Sequence, residues 1–153
     1  MGRTDTASRV IAAPPAEVWR ALIDPFAVAR WLPPNDMTGR IDEWDARPGG
    51  VYAMTLTYAE PGHGKSTSDS DTVTGRFVEL VPGELFVQDA DFDSDDPAFA
   101  GTMRMSWTLT AVDGGTEVVI RADDVPSGIS AEDHAEGLAA SLQNLAEYLA
   151  LQP

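Results

Sequence analysis

The feature that most constrains this chain is its last apolar pattern, residues 131–151, AEDHAEGLAASLQNLAEYLAL. Ala135, Leu138, Leu142, Leu145 and Leu149 recur at alternating spacings of three and four, which predicts one long helix with a single apolar stripe. Ser130 precedes it as an N-cap, and Glu132, Asp133 and Glu136 sit near the positive end of its dipole. Such a stripe faces one sheet or one partner helix, and strands with an apolar face precede it. Met103, Met105, Trp107 and Leu109 alternate with Arg104, Ser106 and Thr108. Asp113-Gly114-Gly115 then signals a tight hairpin, after which Val118 and Ile120 continue the inner face. A β-meander combined with helices is α+β architecture.

The first half of the chain reads in the same way. Residues 8–13 form a short β-rich run. Pro14-Pro15 opens a helix carried by Val18, Trp19, Leu22 and Ile23, with Glu17 in its first turn. Asp24-Pro25 ends it. A second short helix over residues 26–32 stops at Pro33-Pro34. Strands follow at residues 39–44 and 51–58; in the second, Tyr52, Met54, Leu56 and Tyr58 share one face. Residues 60–71 are a Gly/Ser/Asp-rich loop. Residues 72–80 and 85–92 continue a meander around the Pro82-Gly83 turn, and residues 93–101 are an acidic connection.

Composition narrows the function classes. The 153 residues predict one domain, and 43% hydrophobic with 23% charged residues is ordinary for a folded globular chain. There is no cysteine, so disulfides and thiolate chemistry are excluded, in keeping with a cytoplasmic protein. The first residues, MGRTDTASR, contain no apolar run of a secretory signal, and no stretch approaches the roughly 20 apolar residues of a membrane span. The net charge of −15 repels phosphate backbones and anionic head groups, so neither nucleic acid nor membrane insertion is expected. The expected state is a monomer or homodimer without a cofactor.

Several motifs invite chemistry, and each has a plainer reading. Ala59 to Ser66 (AEPGHGKS) fits a relaxed phosphate-loop pattern, but turn and strand residues follow where a helix N-terminus should receive the phosphates, so a hairpin loop is expected. Asp89, Asp91, Asp93 and Asp95 alternate, yet neither register places Gly and Glu where a calcium loop requires them; Asp89 and Asp91 are expected on the solvent face of a strand. His63 and His134 share no metal-ligand spacing, and Ser127 and Ser141 lack the surroundings of a nucleophile. His134 is a candidate general base, against an expectation that it is simply exposed at a helix start. No metal site and no catalytic residue are therefore assigned.

The stronger signal is apolar. Tyr52, Met54, Met103, Met105 and Trp107 put large, soft or aromatic groups on neighbouring inner faces, the residue types that fill cores and also line ligand pockets. Trp19, Trp31, Trp44 and Trp107 each add an indole N–H that needs a partner when buried.

The segments IAAPPAEVWRAL (residues 11–22), RWLP (30–33), PGGVY (48–52) and GRFVELVP (75–82) with Leu85 come in an ordered series. GGTEV (114–118) and HAEG (134–137), ahead of Leu142, Leu145, Tyr148 and Leu149, complete it. Together they resemble the START-like helix-grip (SRPBCC) superfamily. Within it they resemble the bacterial AHSA1-like family, proteins similar to the C-terminal domain of the activator of the Hsp90 ATPase. The resemblance implies a helix-grip fold: a curved antiparallel sheet of about six or seven strands around a long C-terminal helix, with two short helices after the first strand. It also implies an apolar cavity between sheet and helix. The family often has Gly-Trp in the last helix where this chain has Gly137-Leu138, which reshapes the cavity roof. The eukaryotic namesakes carry a further N-terminal domain that is not expected here, so co-chaperone activity is not carried over. The family has no common catalytic motif.

The expectation is a non-enzymatic protein that binds a small hydrophobic, amphipathic or aromatic molecule. The expected lining is Tyr52, Met54, Tyr58, Met103, Met105, Trp107, Leu138 and Leu142, with the tyrosine hydroxyls orienting the ligand. The alternatives are a cyclase/aromatase-like enzyme, for which Arg104, Glu79, His134 and the tyrosines are the candidates, and a stress-response or chaperone-related interaction module.

Overall fold

The computed structural model describes residues 3–32, 37–58, 70–92 and 101–151. The elements run β1 (Arg3–Ile11), α1 (Pro15–Ile23), α2 (Pro25–Trp31), β2 (Met37–Trp44), β3 (Val51–Tyr58), β4 (Ser70–Val81) and β5 (Leu85–Phe92). They continue as β6 (Gly101–Val112), β7 (Gly115–Val125) and α3 (Ala131–Ala150). The strands form a 7-stranded sheet in the order β1-β7-β6-β5-β4-β3-β2. Every pairing is antiparallel. β2 to β7 are therefore a plain meander, whereas β1 sits at the far edge, beside the last strand.

Alternation decides which face is inner. On β6, Met103, Met105, Trp107 and Leu109 are buried, and on β7 Thr116, Val118, Ile120 and Ala122 join them. Register breaks at Ile41/Glu43 on β2, at Phe77/Glu79 on β4 and at Arg3/Asp5 on β1 curve the sheet around that face. The break beside β1 is matched on β7 by Asp124, which takes a left-handed conformation (φ 59°) and lets Val125 return to the interior in place of Asp124.

β1 is longer than its apolar residues predict. It begins at Arg3 because β7 offers an edge along its whole length, from Arg3 opposite Val125 to Ile11 opposite Thr116. The alternating, mostly polar N-terminal half of β1 carries no apolar signal, so pairing rather than propensity sets its extent. Beyond Ile11 the chain bends away, and the buried Thr116 hydroxyl donates to the Ala13 carbonyl at 2.7 Å.

The two short helices share one residue as a hinge. Asp24 closes α1 and caps α2, accepting a hydrogen bond from the Phe26 N–H at 2.9 Å. The open carbonyls at the end of α1 are taken by indoles: Trp31 Nε1 donates to Ala21 O and Trp44 Nε1 to Ile23 O, both at 2.9 Å. α3 begins as its sequence predicts, with the Ser130 hydroxyl accepting from the Asp133 N–H at 3.0 Å, and it buries Leu138, Leu142 and Leu145. It packs over β1 and against α1 and α2. No helix among the described residues is long and apolar enough to cross a membrane.

Along the sheet, aromatic rings make a continuous run. Trp44 meets Phe77 at 5.1 Å, Phe77 meets Phe86 at 5.7 Å, and Phe86 meets Trp19 at 6.1 Å, all edge to face. Tyr52 joins them and lies across Gly75, its partner on the neighbouring strand. A Cβ on Gly75 would sit 1.8 Å from the Asp89 carbonyl oxygen and 2.7 Å from the Tyr52 hydroxyl oxygen, so only glycine fits. Gly137, in the middle of α3, has open space around the same position.

These two glycines predict opposite outcomes in urea denaturation. Gly75→Ala loses about 2–3 kcal/mol, because backbone must move to admit the methyl group. Gly137→Ala gains about 0.5–1 kcal/mol from helix propensity alone.

Candidate functional site

The concave face of the sheet is covered by helices, and beneath α1 and α2 its packing is incomplete. A small, partly open cavity of about 20 Å³ lies between the sheet and the two short helices. From above it is bounded by Leu22 of α1, Val28 and Trp31 of α2, and Leu32. From the sheet it is bounded by Trp44 of β2, Met54 of β3, Phe86 and Gln88 of β5, and Trp107 of β6. The volume admits about one water-sized group.

Trp107 is the anomaly of this cavity. It is 4% exposed and packs edge to face on Trp31, with centroids 5.6 Å apart. The Trp31 and Trp44 indoles are satisfied by α1 carbonyls, but the Trp107 N–H has no hydrogen-bond partner. Among the described residues it is the single fully buried side-chain nitrogen or oxygen left unpaired. Leaving such a donor unmade costs about 1–3 kcal/mol. Gln88, also on the inner face, is the only lining side chain among the described residues that is neither apolar nor aromatic.

The expected site residues divide accordingly. Tyr52, Met54, Met103, Met105, Trp107, Leu138 and Leu142 are all buried within one cluster. Of these, Met54 and Trp107 border the cavity. Met103 and Met105 lie beside Trp107 on β6, while Leu138 and Leu142 pack down from α3 without reaching the void. Tyr52 spends its hydroxyl on the Asp89 carbonyl at 2.8 Å. Burial, reinforced by the Asp91 and Asp89 carboxylates, pushes that hydroxyl's pKa far above its ordinary value. Tyr58 ends β3, and its side chain lies outside the described residues, as do residues 59–66 with His63, and Asp93 and Asp95.

The sequence reading did not single out Leu22, Val28, Trp31, Leu32, Trp44, Phe86 or Gln88 for the cavity. One signal was available: Phe86, Gln88 and Ala90 alternate on β5, so Gln88 is a polar residue in an apolar register.

The other candidate groups sit elsewhere. Arg104 and Glu79 are exposed, and Arg104 donates to both Asp89 carboxylate oxygens at 2.8 and 3.1 Å. The Asp89 hydrogen bond and charge raise the Arg104 pKa. Asp91 accepts from the Thr102 hydroxyl. His134 departs from its expectation. Its side chain is only 11% exposed, and Nδ1 lies 2.7 Å from Asp5 Oδ2. The cause is the extra length of β1, which carries Asp5 to the start of α3. Arg3 holds the same carboxylate at 3.0–3.2 Å and donates to the Ile129 carbonyl at 2.5 Å. Outside the core, a groove of about 420 Å³ runs between α2 and the edge strand β2, beside Phe26, which is 82% exposed.

A curved seven-stranded antiparallel sheet, roofed by two short helices and closed by a long C-terminal helix, defines a protein of the helix-grip, SRPBCC class. The family model described as Activator of Hsp90 ATPase homolog 1-like protein matches residues 12–150, and the chain belongs to that family. Among solved structures, protein CV1439 from Chromobacterium violaceum is 34% identical, with a TM-score of 0.85 over 97% of this chain and 98% of that one. MLL2253 from Mesorhizobium loti shares the fold at 19% identity and a TM-score of 0.77, covering 99% of each chain. An AHSA1-like protein from Aeromonas hydrophila does so at 19% identity and 0.76, over 97% of this chain and 92% of its own. No curated protein matches the chain.

The Asp5 cluster has a pH signature. Burial raises the Asp5 pKa, but hydrogen bonds and charge from Arg3 and His134 outweigh it and hold the carboxyl below its ordinary value. A depressed carboxylate contributes stability above its unfolded pKa of about 3.9 and loses that contribution as pH falls through the folded value. Asp5→Asn is therefore expected to be destabilised at pH 7 by urea denaturation, with the gap from the parent closing below about pH 4.

Proposed function

We propose that the protein is a non-enzymatic, cytoplasmic binder of a small apolar or amphipathic molecule, held inside the fold between the sheet and its helical roof. One observation carries this reading: the cavity beneath the helical roof coincides with the unpaired, buried N–H of Trp107. A core selected for packing alone would fill the one and pair the other. The lining supports contact and orientation, being aliphatic and aromatic apart from Gln88 and the indole N–H groups. A volume of about 20 Å³ holds only part of a ligand, so the remainder enters by parting the roof. Met54, Met103 and Met105 are the adaptable side chains that yield, and Leu138 and Leu142 of α3 then meet the ligand.

A second reading, as an interaction module, rests on the groove between α2 and β2 with Phe26 at its rim.

Titration of the labelled protein with medium-chain fatty acids and bicyclic, polyketide-like aromatics distinguishes the two by NMR. The interior reading expects amide shifts at residues 22–32, 52–54, 86–88 and 103–107. It also expects Leu142→Ala to change affinity severalfold while the exposed Gln143→Ala does not. Shifts confined to residues 25–29 and 39–44 would sink it in favour of the groove.

A further inference from the structure

We propose that the ligand's polar group is an uncharged oxygen acceptor, a ketone, ester or amide carbonyl, which accepts from the Trp107 indole N–H and the Gln88 amide together. This rests on the interior-ligand reading and specifies its chemistry. Trp107 is 4% exposed and its N–H is unpaired, so the site presents a donor with nothing to donate to. Gln88 supplies the second donor. The β5–β6 register sets Phe86 opposite Trp107 and Gln88 opposite Met105, so Gln88 and Trp107 are diagonal neighbours on the inner face. Diagonal positions lie about 7–8 Å apart, a span that one acceptor atom bridges when both side chains lean toward it. Both residues border the same void.

The void selects the chemistry. Its volume of about 20 Å³ accepts one oxygen atom without displacing the core. A carbonyl oxygen has two lone pairs, which match two donors. A carboxylate would place a full charge in the core, and no Lys, Arg or His is among the described residues lining the void. The net charge of −15 opposes an anion as well. A purely apolar ligand would leave the indole donor as unsatisfied as it is now.

Three probes share one ring and differ in this group alone: acetophenone (ketone), ethylbenzene (apolar) and benzoate (anion). Each is titrated into 15N-labelled protein while the indole N–H signals are followed, with the Trp107 signal identified by its loss in Trp107→Phe. The expected result is acetophenone binding about tenfold tighter than ethylbenzene, the effect of one buried hydrogen bond. The Trp107 indole proton should move downfield with acetophenone only, and benzoate should bind no better than ethylbenzene. In Trp107→Phe the ketone preference should vanish while ethylbenzene still binds. If that variant does not fold, Gln88→Leu tests the second donor with the indole intact and should reduce the same preference severalfold. Equal affinities for acetophenone and ethylbenzene with an unmoved Trp107 signal would overturn the acceptor assignment and leave the interior-ligand reading standing. Tightest binding by benzoate would overturn the requirement for an uncharged group. Absence of any shift at interior residues with all three probes would overturn both readings.

Discussion

The structure depends on one topological constraint: β1 and β2, neighbours in the sequence apart from two short helices, lie at opposite edges of a seven-stranded sheet. At a strand spacing of about 4.8 Å, the connection must travel roughly 29 Å across the sheet. α1 and α2 make that journey, and an apolar crossing of that length has only the concave face to lie on. The roof is thus a consequence of strand order. It also explains why the interior space falls beneath α1 and α2, while the apolar stripe of α3 packs closely over β1 and the ends of the crossing.

Holding the crossing in place is largely the task of indoles. A helix that stops at an Asp-Pro hinge has no glycine to fold its last carbonyls back, and Trp31 and Trp44 supply donors instead, one from the next helix and one from the far edge strand. These bonds join α1, α2 and β2 into one unit over the cavity. Trp107 has the same chemistry and belongs to the opposite wall, but its donor finds no carbonyl. Burial alone does not distinguish Trp107 from Trp31; the presence or absence of a carbonyl partner does.

Much of this was legible in the sequence where a period was strong. The stripe of α3, its Ser130 cap, the alternation on β3 and β6, and the Gly-rich β6–β7 turn each have a local cause, and the structure places them accordingly. The AHSA1-like resemblance supplied the topology that periods cannot. What was illegible depends on partners distant in the chain. The polar half of β1 has no intrinsic reason to be a strand until β7 lies beside it, and His134 has no reason to be covered until that strand brings Asp5 beneath it. The cavity's position is equally non-local, since it reflects which side chains fail to meet. Gln88 was visible as a break in a pattern of two, but its significance emerges only beside an unpaired indole.

The edge position of β1 has a consequence during synthesis. Among the described strands its backbone pairs solely with β7, so residues 3–11 emerge more than a hundred residues before the strand that completes them. At roughly 5–20 residues per second, the nascent chain spends on the order of 5–20 seconds with that strand unpaired and the apolar faces of α1 and α2 uncovered. Closure is then sudden and long-range: Thr4 to Asp123, Arg3 to Ile129 and Asp5 to His134 all form only after the last hairpin has appeared. A chain stitched in this way has a high contact order and folds late, as a whole, rather than strand by strand as it leaves the ribosome.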